Sequence, residues 1–180
     1  MTIAALMGTS IFAQSSADVT ASAAIVSAAS ISTDSNVDFG DVLSSPAGTP
    51  TLNPIGGGSH SNVAGTQTLG QVTITGYDGA SISVSVNKDS TALSDGAGNW
   101  IRYNPSYSEY TTNTQSSATS LSLTNASPAT VNLSGTTNHY IWLGGTLTQL
   151  DGVTDLSGQT AGTYTSTAGS GSITLSVAYN

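Results

Sequence analysis

The chain has 180 residues and a formal charge of −8, with ten acidic side chains against two basic ones and no cysteine. Lys88 and Arg102 alone cannot make the basic footprint that nucleic acid requires, and without cysteine neither a disulfide scaffold nor a thiolate metal site can form. Hydrophobic residues at 37% allow a core and argue against disorder, while 7% charged residues with Ser and Thr at roughly a third suit a secreted or surface-displayed β-protein.

Ile3 to Ala13 is a mostly apolar run, too short to span a bilayer but fitting the apolar core of a secretory signal peptide. Cleavage is expected after Ala13 or Ala17. No Lys or Arg precedes the run, and the alternative is a first buried strand or helix. The expected organisation is a signal peptide over 1–17, an N-terminal strand region over 18–33 and one β-sandwich domain over 34–180. No later segment is apolar enough to cross a membrane.

Beyond Asp18, apolar residues recur at period two, the mark of half-buried strands. Gln71–Thr75 and Ser81–Val86 show it most clearly. The Asp78-Gly79 pair between them predicts that they form a hairpin. Val131–Leu133, Tyr140–Leu143, Thr146–Leu147 and Ile173–Tyr179 continue the pattern, and no helical stripe persists for three turns. Ser44–Thr66 and Ser90–Gln115, rich in Gly, Pro, Asn and Thr, are expected to be long loops. Several short strands at this spacing predict an all-β fold, an antiparallel sandwich.

Little catalytic chemistry is available. His60 and His139 are the only histidines, Glu109 is the only Glu, and no Gly-x-Ser-x-Gly elbow occurs. Asp95-Gly96-Ala97-Gly98-Asn99 and the Asp151/Asp155 pair resemble calcium loops only superficially, since the first lacks a third carboxylate and a terminal bidentate Glu. Ordinary turns, in which Asp bonds its own backbone, account for both. No catalytic residue, metal or cofactor is expected. Trp100, Tyr103, Tyr107 and Tyr110 fall within one stretch and could stack against sugar rings or pack in a core.

Four stretches, in order, resemble a family of secreted bacterial β-proteins of unknown function and, more distantly, chaperone–usher pilins and spore-coat U proteins. The first is Ala21–Val26 leading to Ser30-Ile31-Ser32 and Val37-Asp38-Phe39-Gly40. The second is Val72–Gly76 followed by the Ile82–Val86 strand. The third and most specific is Ile141-Trp142-Leu143-Gly144-Gly145-Thr146-Leu147. The last is Ala161-Gly162-Thr163-Tyr164 followed by Ile173–Tyr179.

The resemblance implies an immunoglobulin-like sandwich that lacks a strand and is completed by a donor strand from a neighbouring subunit. Val19, Ala21, Ala23 and Ile25 alternate with Thr20, Ser22 and Ala24, so this segment can serve as the donor. It could equally be the first strand of its own domain. Ile173, Leu175, Val177 and the penultimate Tyr179 match the C-terminal strand that a periplasmic chaperone grips in such pilins. The expected function is a structural subunit of an extracellular, pilus-like homopolymer without enzymatic activity, with a periplasmic chaperone and an outer-membrane usher as further partners. The competing expectation is a secreted carbohydrate-binding or adhesive module that uses Trp100 and the nearby tyrosines. Two features depart from the pilin pattern: the absence of cysteine and the Ser/Gly-rich spacer between Tyr164 and Ile173.

Overall fold

Alternation of β-branched and hydroxyl residues gives each strand one apolar face, and two sheets bury those faces against each other. The computed structural model describes residues 22–44, 48–167, 169 and 171–180. Its strands are β1 (Ser30–Ser35), β2 (Asp41–Val42), β3 (Thr51–Leu52), β4 (Val63–Ala64), β5 (Gly70–Thr75) and β6 (Ser81–Val86). They continue with β7 (Thr91–Ser94), β8 (Trp100–Tyr110), β9 (Thr119–Leu121), β10 (Ala129–Asn132), β11 (Asn138–Thr148) and β12 (Leu175–Tyr179). One 3-10 turn, Gln115–Ser117, precedes β9. The fold is all-β, and every named strand pair is antiparallel.

The seven-stranded sheet runs β1-β5-β11-β8-β7, with β3 also on β11 and β9 also on β8; the three-stranded sheet runs β10-β6-β12. Val72, Ile74, Tyr107, Ile141 and Leu143 of the first sheet and Ile82, Val84, Val86 and Val131 of the second share one buried cluster. Burying each such aliphatic side chain contributes about 1.5–3 kcal/mol. A second cluster joins Phe39, Leu52, Ile101, Tyr103, Leu147 and Leu156. Phe39 meets Tyr103 edge to face, with ring centroids 5.8 Å apart.

The expected Gln71–Val86 hairpin does not form, because β5 and β6 lie in different sheets. Their intervening turn exists, with Ala80 N–H donating to the Tyr77 carbonyl at 3.0 Å and Gly79 at positive φ. Its other backbone groups bond outward, Gly76 N–H to Thr137 and Gly79 N–H to Leu133. The chain therefore arches from one sheet to the other and sets Ile74 and Ile82 in the same core.

The expected loop Ser90–Gln115 contains β7 and the 11-residue β8. Pro105 is tolerated because one edge of β8 pairs with β7 over 100–103 and with β9 over 107–109, leaving 104–106 open on that side. Ser44–Thr66 likewise contains the short β3 and β4. Tyr140–Leu143 and Thr146–Leu147 belong to one strand, β11, which runs straight through Gly144-Gly145. Ala-like side chains have no room there: a Cβ on Gly144 would strike the Leu52 carbonyl, and one on Gly145, at φ +139, the Asn104 carbonyl.

Residues 1–17, Val19 and Ala21 lie outside the described residues. Of the N-terminal strand region, 22–29 carry no strand and β1 begins at Ser30.

Candidate functional site

Two strand edges face a common seam. β1 ends the seven-stranded sheet and β12 ends the three-stranded one. Each has a hydrogen-bonded neighbour on one side, β5 and β6 respectively. No ladder joins β1 to β12 among the described residues.

Alternation sets the chemistry of the seam. On β1, Ile31 opposes Ile74 and packs on the main core, as Leu175 and Val177 of β12 do. Ile173 lies just before β12 and touches both core clusters. Between the two edges opens a cleft of about 780 Å³ whose apolar wall includes Ile31, Val37, Val72, Leu143, Ile173 and Leu175. Thr33, Ser35 and Thr163–Thr167 add hydroxyls. A smaller cavity of about 390 Å³ shares Val37, Phe39 and Tyr164 with it and lies against Leu156 and Gln159–Tyr164. The 163–167 segment is held by reciprocal Ser94–Thr165 backbone bonds of 3.0 Å.

At one end the seam is pinned. The Tyr179 hydroxyl donates to the Ser27 carbonyl at 2.8 Å and accepts from Tyr77 N–H at 3.0 Å. The expected C-terminal set is thus brought together along one edge: Ile173, Leu175 and Val177 against the core, Tyr179 at the end. Of the candidate donor residues, Ala23 and Ile25 are exposed, Ile25 completely. They lie just ahead of Ser27 and β1.

The four aromatic candidates do not form one surface. Tyr103 and Tyr107 point inward and are buried, Tyr103 donating to the Gly144 carbonyl at 2.7 Å. Burial pushes both phenol pKa values well above the ordinary range, with Tyr107 a further cause for Tyr103 and Asp89 for Tyr107. Trp100 and Tyr110 face outward at opposite ends of β8, a span of about 30 Å at strand rise.

The aspartates of the calcium-like turns are committed to their own loops. Asp95 accepts from Ala97 N–H, Asn99 N–H and the Asn99 amide, which holds its carboxyl below the ordinary value. Asp155 accepts from the Ser157 hydroxyl and N–H with the same effect, and Asp151 accepts from Val153 N–H. Among the described residues no group of three His, Asp or Glu side chains could hold a metal ion, and no helix is long and apolar enough to cross a membrane.

One pairing escaped the sequence reading. His139 is buried, and its Nε2 lies 2.5 Å from Glu109 Oε2. Register brings them together: Glu109 opposes Ile141 across β8 and β11, and His139 is the next inward-facing residue along β11. Glu109 holds the ring through Nε2, while His139 Nδ1 has no hydrogen-bond partner among the described residues, so no hydroxyl stands against it to complete a nucleophile–His–carboxylate arrangement.

No family model, curated protein or solved structure matches the chain.

Proposed function

We propose that the protein is a structural subunit of an extracellular, pilus-like filament, an immunoglobulin-like sandwich completed by its neighbour. In this reading the segment holding Val19, Ala21, Ala23 and Ile25 leaves its own chain and adds as a strand between β1 and β12 of the next copy. The observation that carries the proposal is the pair of facing sheet edges over an apolar cleft, beside a segment whose Ile25 is fully exposed. A strand inserted there would pair its backbone with an open edge and direct alternate side chains onto Ile31, Leu175 and Ile173. Moving one exposed Ile into the cleft contributes about 1.5–3 kcal/mol.

Secretion through the 1–17 leader, capture of β12 by a periplasmic chaperone and delivery through an outer-membrane usher form the assembly route that accompanies this reading. Electron microscopy of the purified protein tests it, with and without excess synthetic peptide covering 18–29. Filaments that shorten when the peptide competes are expected. A monodisperse monomer that ignores the peptide contradicts the proposal.

The alternative is a secreted carbohydrate-binding or adhesive module. The set Trp100, Tyr103, Tyr107 and Tyr110 gives it no common surface, since two rings are buried and two are far apart.

A further inference from the structure

The outer face of the seven-stranded sheet carries an aromatic row that the linear sequence conceals. Tyr140 on β11 lies directly opposite Tyr110 on β8 and, on its other side, opposite Thr73 on β5. Tyr140 also stacks on Trp142, with centroids 6.1 Å apart and planes 29° from parallel. These side chains point away from the shared core, because their neighbours Ile141, Val72 and Ile74 point into it. Trp142 is covered, whereas Tyr110 and Tyr140 are accessible.

The ring of Tyr140 is framed by amides already held in place. Beyond Tyr110 the chain crosses β11, and Asn113 Oδ1 accepts from Gln71 Nε2 at 2.7 Å. On the opposite side of Tyr140, Asn138 Oδ1 accepts from the Thr75 hydroxyl at 3.0 Å. Each amide accepts internally through its oxygen, so its NH2 is the group left to donate to a ligand. The Thr73 hydroxyl bonds Asp34 Oδ2 at 2.5 Å, which leaves Asp34 Oδ1 as an acceptor at the margin. Beside Trp142, the Ser108 hydroxyl and Gln115 Nε2 both donate to the Pro54 carbonyl, so the 53–58 loop walls that end of the row.

We propose that this face binds a neutral polysaccharide, with pyranose rings lying on Tyr140 and Tyr110 and their hydroxyls accepting from Asn113 and Asn138. Aromatic faces match the C–H face of a sugar, and fixed amides recognise its hydroxyls. The face is also wrong for an anionic glycan. Arg102, the nearest cation along β8, sits toward its far end with its guanidinium on the Leu150 carbonyl. Asp34, the charged group bonded into this face, is itself an anion. The site is independent of the β1/β12 seam and does not rest on the filament reading.

The test uses the full chain on an array of neutral and uronic-acid polysaccharides, followed by fluorescence titration with an oligosaccharide of the neutral glycan that binds best. Wild type, Tyr140→Phe and Trp100→Ala should bind alike, while Tyr140→Ala and Tyr110→Ala should each lose about tenfold or more in affinity. Tyr110→Ala keeps the test open if Tyr140→Ala does not fold. Absence of binding to every neutral glycan, equal binding by both Ala variants, or preference for uronic-acid polymers overturns the proposal. So does finding that the property lost in these variants is association between copies of the chain.

Discussion

The hydroxyl of Tyr179 donates to the carbonyl of Ser27 at 2.8 Å, tying the penultimate residue to one 152 positions earlier. The same oxygen accepts from Tyr77 N–H, so three distant segments meet at one atom where the two sheet edges converge. Tyr179→Phe removes both bonds while keeping the ring. It should cost about 1–2 kcal/mol of unfolding free energy and speed hydrogen exchange at the Tyr77 amide. Denaturant melts and amide exchange by NMR check this. Unchanged exchange at Tyr77 would show that the hydroxyl holds nothing.

Gly144 has no need of an unusual φ; it is required because β3 passes too close. Gly144→Ala drives a methyl into the Leu52 carbonyl and within 2.9 Å of Pro54 Cδ, and should lower stability by about 1–3 kcal/mol. Gly57, at φ +70 with open space around it, is the useful contrast. Gly57→Ala meets only backbone strain, about 1 kcal/mol. Thermal melts of the two variants should rank Gly144→Ala as the more damaging.

Glu109 is the hydrogen-bonding partner of a buried histidine. Glu109→Ala strands His139 Nε2 without an acceptor and should cost about 1–3 kcal/mol. His139→Phe with Glu109→Ala removes both polar partners and should recover part of that loss. Chemical denaturation of the single and double variants gives the coupling, and strict additivity would contradict the pairing.

Tyr103 and Tyr107 have phenol pKa values raised by burial. A folded-state pKa above the unfolded one means that the folded chain keeps its proton longer. The associated stability is fully present below the ordinary tyrosine range, begins to fall as pH passes that range, and goes on falling until pH reaches the raised folded-state values. Of the seven tyrosines, at least these two should stay protonated in a spectrophotometric titration until the protein unfolds in alkali. Seven rings ionising together at the ordinary value, with circular dichroism unchanged, would contradict their burial.

Strand identity was legible where alternation was clean, as in Ile82-Ser83-Val84-Ser85-Val86. Strand partnership was not. Asp78-Gly79 signals a turn, but whether the chain returns beside itself or arches across the core depends on Leu133 and Thr137 taking its backbone bonds. β8 was hidden because Asn104, Pro105 and Ser106 read as loop residues; they fit where β7 and β9 leave that edge open. The C-terminal edge set was visible from its period of two. The Tyr140–Tyr110 row and the His139–Glu109 pair were not, since each depends on the register between β8 and β11, about 30 positions apart.

The central claim is that the segment around Ile25 occupies the β1/β12 seam of another copy. The chain has no cysteine, so introduced thiols report without background. Ile25→Cys protein mixed with Thr33→Cys or Ile173→Cys protein and oxidised should give a mixed disulfide joining two chains. Ile25→Cys mixed with Trp100→Cys should give none. Absence of a mixed disulfide with both seam partners, or cross-linking only within a chain carrying both substitutions, would contradict the claim.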